Sequence, residues 1–335
     1  MYPTIMSIDL YPAIIHEGDL SPDSFGPEVD EICNEIDASC KGFGTNEKRL
    51  LKAMGSQSPE TRCKVPLRYK ELRGKELKNV MKSECGKRNF GTALQFLAVS
   101  PIEADCDMIK AACKGVGTNE LLLFTILCGR SNTEVELLKK KYFEIHTADL
   151  GRVLDGELGG DLEKMIFNTL QAAEEIFDSD YHTEALMKED AAKLYEMGQG
   201  KRFGTNEAGL FKILCARPPE YLKQMNLVYA EKYGFTLPKA LETELNGHVK
   251  DAALYMIGMK LKPYETVANL IHRACKGFGT NELLLTSALI RYQPIMKNVM
   301  EAYIELYGET IEDRIKSECG GDYERILLEV LGAAE

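Results

Sequence analysis

Apolar residues fall on one helical face at four places along the chain. Leu50, Leu51 and Met54 are spaced i, i+1, i+4; Leu123, Phe124 and Leu127 repeat the spacing, as do Leu210, Phe211 and Leu214. Leu285 and Leu289 keep it a fourth time, with Thr286 as the exception. Such spacing draws a single stripe along an amphipathic helix. Farther along, a tyrosine stands five residues before a glycine in three copies, Tyr69 and Gly74, Tyr229 and Gly234, Tyr303 and Gly308, and Tyr142 holds the related place in the remaining one. The intervening chain is rich in Leu, Lys, Glu and Ala and is broken at intervals that leave room for about five short helices per unit. No segment shows convincing strand alternation, so the pattern predicts an all-α protein. Pro66 is the anomaly, because a proline within the third helix of the first unit removes a donor and predicts a late start or a bend.

A short turn precedes each of the four stripes. "CKGFGTNE" occupies residues 40–47, "CKGVGTNE" 113–120, "KRFGTNE" 201–207 and "CKGFGTNE" again 275–282. Its second glycine falls at Gly44, Gly117, Gly204 and Gly279, with spacings of 73, 87 and 75 residues. A recurrence at about 75 residues marks a structural repeat. The longer middle interval contains "EEIFDSDYHTEALMKED", which predicts an added turn or short helix between the second and third units.

Taken alone, the turn is a good helix-to-helix connection, since glycine ends a helix in the left-handed conformation and Thr-Asn caps the next. A carboxylate at fixed distance argues for more. Forty residues beyond Gly44, Gly117 and Gly204 stand Glu84, Glu157 and Glu244, and 39 beyond Gly279 stands Glu318. A glycine turn with outward carbonyls, completed by a glutamate from a neighbouring loop, makes an oxygen cage suited to a hard cation, above all Ca2+. Other glycine-loop chemistries fail on detail. A phosphate loop needs Gly-Lys-Ser/Thr, a dinucleotide site needs a preceding strand, and an EF-hand needs alternating Asp and Asn.

Composition narrows the choice. The 335 residues carry 52 acidic and 41 basic side chains, a formal charge of −11 that argues against nucleic acid and against an acidic membrane bound by charge alone. No apolar run is long enough to span a bilayer. The start, "MYPTIMSIDLYPAIIHEGDL", has no basic residue ahead of its apolar ones and is interrupted by Asp9, which predicts no signal peptide and a cytoplasmic protein. Ten cysteines without a CxxC pair predict reduced, mostly buried thiols. The five histidines, at 16, 146, 182, 248 and 272, are scattered and form no HExxH, and no nucleophile motif is present, so no enzymatic activity is expected.

With these four turns and their paired glutamates, the chain resembles the annexins from about residue 26 to its end. The resemblance implies four repeats of five helices packed as a curved disc, after an N-terminal tail over 1–25. The repeats then cover 26–98, 99–174, 185–259 and 260–335, with an extended linker over 175–184. It implies calcium-dependent, reversible binding to acidic, phosphatidylserine-like membranes, peripheral and cytoplasmic. Carried over by position, the first loop offers the carbonyls of Cys40, Gly42 and Gly44 with Glu84. The second offers Cys113, Gly115, Gly117 and Glu157, and the fourth Cys275, Gly277, Gly279 and Glu318. In the third, Arg202 and Gly204 match with Glu244, while the remaining glycine is Gly200 or Gly198.

Two departures from the family pattern stand out. Asn follows Thr in every turn where an acidic residue is usual, which bears on capping more than on coordination. The arginine that closes the second helix is kept at Arg130, Arg217 and Arg291, with Ser56 near its place in the first repeat. Three carbonyls and a bidentate carboxylate give about five oxygens where Ca2+ takes about 6–8, leaving positions for water or lipid phosphate. Four such ions would bring +8 against the formal −11. The residue in the middle of each turn, Phe43, Val116, Phe203 or Phe278, would then face the headgroup boundary, or else fold back on its own helices. A structural or cytoskeletal role, as in the annexin-like giardins, is the rival expectation, and the tail is a candidate site for a protein partner.

Overall fold

The computed structural model describes residues 8–18, 20–22, 25–41, 44–86, 88–115, 117–198, 207–277 and 279–334. Among them are 21 α-helices and no strand. A single turn, α1 (Ala13–Glu17), precedes four groups of five. The first group is α2 (Pro27–Ser39), α3 (Glu47–Gly55), α4 (Pro59–Arg73), α5 (Leu77–Cys85) and α6 (Asn89–Leu97). The second is α7 (Pro101–Ala112), α8 (Glu120–Leu127), α9 (Asn132–His146), α10 (Leu150–Asp155) and α11 (Gly160–Leu170). The third is α12 (Glu184–Met197), α13 (Glu207–Ala216), α14 (Pro219–Tyr233), α15 (Leu237–Glu244) and α16 (Gly247–Leu261). The last is α17 (Pro263–Cys275), α18 (Glu282–Arg291), α19 (Met296–Tyr307), α20 (Ile311–Glu318) and α21 (Gly321–Gly332). None of these helices is long and apolar enough to cross a membrane.

The tyrosine-to-glycine interval now has a physical cause. Gly74, Gly234 and Gly308 end α4, α14 and α19 in the left-handed conformation, with φ of 65°, 80° and 69°. Tyr69, Tyr229 and Tyr303, just inside those ends, are buried. Tyr142 is buried likewise, but α9 ends on Thr147, which adopts φ 52° despite its side chain. Pro66 does not delay its helix. Ser58 and Pro59 fix the start instead, since the Ser58 hydroxyl accepts from the Thr61 amide at 3.2 Å, and α4 continues through Pro66 to Arg73. Between α11 and α12 the added segment holds a turn and no helix: the His182 amide donates to the Asp178 carbonyl at 2.7 Å. His182 is buried there, its Nε2 at 2.9 Å from Glu175 Oε2, which also accepts from Arg217 Nη1 at 2.6 Å.

Two compact units divide the chain, with boundaries within α7 and α17. In the unit over Ile109–Thr266, Gly129 ends α8 against α16, so close that a Cβ on it would stand 2.6 Å from that of Met259. Lys260 is buried beside it, its ammonium held by the carbonyls of Leu214 and Arg217, each at 2.8 Å, and by Glu174 at 2.7 Å. The other unit joins 10–108 with 267–334. Gly55 at the end of α3 lies against Glu329 of α21, and Ser56 donates to that carboxylate at 3.0 Å. Arg62 is buried and donates to the Ile290 carbonyl and to Gln293 Oε1. From Leu10 onward the described tail is part of this unit. Tyr11 is buried and donates to Asp105 at 2.8 Å, and the other oxygen of Asp105 accepts from Arg291 Nε at 2.8 Å.

Candidate metal centre

Three of the glycine turns are built alike. The amides of Asn46, Asn119 and Asn281 donate back to the carbonyls of Ser39, Ala112 and Ala274 at 2.8, 2.9 and 2.8 Å, pinching each turn shut. The same asparagines then cap α3, α8 and α18, each side-chain oxygen accepting at 3.1 Å from the amide three residues on. Within the turns Gly44, Gly117 and Gly279 take φ of 89°, 87° and 94°, and Gly115 and Gly277 take 115° and 121°. A Cβ on any of them would meet nothing within 4 Å. Backbone angle, not space, therefore selects glycine here.

The distant glutamates arrive at these turns. Thr45 Oγ1 donates to Glu84 Oε2 at 3.1 Å, Thr118 Oγ1 to Glu157 Oε2 at 2.7 Å and Thr280 Oγ1 to Glu318 Oε2 at 3.3 Å. Each glutamate lies at or just beyond the end of the fourth helix of its group, so that helix carries it back to the turn. Glu84 is exposed, Glu157 and Glu318 are half-buried, and the turn glycines 44, 115, 117, 277 and 279 are exposed. In the third repeat Glu244 lies against Gly198, whose added Cβ would stand 3.1 Å from Glu244 Cγ. Gly198 thus lies beside that side chain. Gly42, Phe43, Val116, Gly200, Arg202, Phe203, Gly204 and Phe278 lie outside the described residues.

The donor set fits a hard cation. Glycine-lined backbone and a carboxylate supply oxygen, and nearby sulfur is unsuited to compete. Burial pushes the Cys40, Cys113 and Cys275 thiols up to about 11, with the neighbouring glutamate adding to the rise in each, so all three are protonated at neutral pH. The residues that could hold such a cation are the turn backbone at Cys40 and Gly44 with Glu84, at Cys113, Gly115 and Gly117 with Glu157, and at Cys275, Gly277 and Gly279 with Glu318. The turn threonines were not singled out from sequence, although their place directly after the glycine in every copy marks them.

A family model described as Annexin matches residues 32–87, 104–168, 189–256 and 266–330. The chain belongs to the annexin family. It is 30% identical to annexin A13 of Mus musculus over 307 residues, 91% of this chain and 96% of that protein. The solved structure of annexin III aligns with a TM-score of 0.85 at 29% identity, covering 93% of this annexin and 95% of that chain. A structure of calcium-bound annexin (Sm)1 aligns with a TM-score of 0.79 over 98% of this chain and 99% of that one, and at 23% identity this likeness speaks for the fold alone.

Proposed function

We propose that this annexin binds membranes rich in acidic phospholipid when calcium is present, with Ca2+ held between loop oxygens and lipid phosphate. The observation that carries the reading is the threefold Thr-to-Glu contact, which brings a distant carboxylate to an exposed glycine turn at the same point in three repeats. The annexin family is known broadly for calcium-dependent phospholipid binding. The net charge supports a metal bridge over direct attraction, because an acidic protein is repelled by an acidic bilayer. Coordination left open by the protein is where a phosphate oxygen enters. On this reading the protein is a peripheral, cytoplasmic membrane binder. It acts by binding and not by catalysis on this reading; two of its histidines are held in the fold, His182 against Glu175 and His272 stacked on Tyr307 with centroids 3.8 Å apart.

Co-sedimentation tests the proposal. The protein should pellet with phosphatidylserine-containing vesicles in calcium and return to the supernatant on chelation. Undiminished vesicle binding in excess EGTA would overturn it, and calcium-independent pelleting with filaments would favour the cytoskeletal role.

A further inference from the structure

The fourth loop contains a cation of its own. Arg314 stands one turn before Glu318 on α20, on the same helical face. Its Nη2 donates to the Cys275 carbonyl at 3.2 Å and lies 3.3 Å from Glu318 Oε1. Glu318 Oε2 meanwhile accepts from Thr280. Both carboxylate oxygens, and one of the carbonyls placed to hold an ion, are therefore already engaged.

Loops one and two differ at this point. The residues four before Glu84 and Glu157 are Val80 and Val153, and the third-loop counterpart before Glu244 is Ala240. Among the described residues no basic side chain forms an ion pair with Glu84 or Glu157. The contact is not a loose surface pair, because the Arg314 side chain is 22% exposed and its Nε is buried. The guanidinium brings a planar fork of donors to the Cys275 and Glu318 oxygens. A divalent ion entering this loop must break two charge-assisted contacts and approach a fixed positive charge.

We propose that Arg314 is a tethered competitor for calcium, occupying the ligands of the fourth loop and raising the calcium concentration at which that loop fills. Loops one and two then load first, and loop four responds only to a stronger signal. The proposal rests on the calcium reading above and sets loop four apart from loops one and two through a single side chain.

Calorimetry on loop four in isolation tests it. In a chain carrying Glu84→Gln, Glu157→Gln and Glu244→Gln, calcium is titrated with and without Arg314→Val, which copies the residue of loops one and two. The valine variant should bind calcium roughly tenfold more tightly, a change of about 1.4 kcal/mol. Arg314→Gln, which keeps length and loses charge, should move the same way by less and serves as the probe if valine disturbs α20. Unchanged or weaker affinity in both variants would overturn the proposal and show that Arg314 merely positions Glu318. If the unaltered protein gives no calcium heat at all, the functional reading fails together with this one, whereas calcium binding that ignores Arg314 defeats this one alone.

Discussion

Thr118 Oγ1 reaches Glu157 Oε2 at 2.7 Å across 39 residues of chain. The contact holds a half-buried carboxylate at its turn, so little rotamer freedom is left for an arriving ion to remove. Thr118→Val keeps the shape and deletes the donor. We expect calcium affinity at loop two to fall about threefold to tenfold with the number of ions unchanged, since a hydrogen bond to a charged group contributes on the order of 1.5 kcal/mol. Calorimetry reads both quantities, and an unaltered affinity would mean that the threonine does not orient Glu157.

The carboxylates themselves should count ions. Glu84→Gln and Glu157→Gln each remove a charge with little change of shape, and each should cost one bound calcium. A triple variant that also carries Glu318→Gln and still binds the full complement would show that the ligands lie elsewhere.

In sequence Phe203 and Phe278 stand in the middle of their turns, placed either at the headgroup boundary or back on their own helices. Burying a phenylalanine contributes about 1.5–3 kcal/mol. Phe203→Ser with Phe278→Ser should therefore weaken vesicle binding at fixed calcium by roughly tenfold or more, leaving ion number and melting temperature as they were. Equal vesicle affinity would place the rings against the protein.

Two left-handed glycines should separate binding from folding. Gly117 has φ 87° with open space around its missing Cβ, whereas Gly129 has φ 78° and faces Met259 at 2.6 Å. Gly117→Ala should cost about 1 kcal/mol of stability and impair calcium at loop two. Gly129→Ala should cost about 3 kcal/mol, since a clash is added to the backbone strain, and leave loop affinities intact in the folded fraction. Denaturant melts alongside calcium titration distinguish the two.

His272 gives the fold an acid sensitivity. Burial, then repulsion by Arg314 and Lys276, holds its pKa below the usual histidine value, while Glu309 opposes the shift. Well above the usual histidine value both folded and unfolded forms are uncharged and the group has no effect. As pH falls through about 6.5 the unfolded chain takes up a proton that the folded chain resists, so stability drops. His272→Phe, which keeps an aromatic ring against Tyr307, should melt with less loss between pH 7 and 5 than the parent, and parallel pH curves would contradict this.

The helical units were legible because amphipathic spacing and the recurring turn are local signals that survive without any knowledge of packing. The step from turn to glutamate was legible as arithmetic, and the threonine contacts show what that spacing spans. Pro66 does not bring the late start it suggested, because Ser58 and Pro59 together decide where α4 begins. Gly198 and Gly200 were both candidates in the third loop; Gly198 lies against Glu244, and Gly200 is outside the described residues. Arg314 was invisible as a loop residue, since its meeting with Cys275 depends on how α20 lies against the end of α17. The docking of Tyr11 onto Asp105 was hidden for the same reason, as an apolar tail names no partner until the fold supplies one.

Asn46, Asn119 and Asn281 each shut a loop and begin the helix whose apolar stripe enters the core. An ion held by such a loop is thereby held against unfolding of that helix, and a ligand that binds only the folded chain stabilises it in proportion to its concentration. Calcium would then govern the working lifetime of the molecule as well as its address. Proteases, which cut what has opened, would find the resting chain an easier substrate than the one on a membrane.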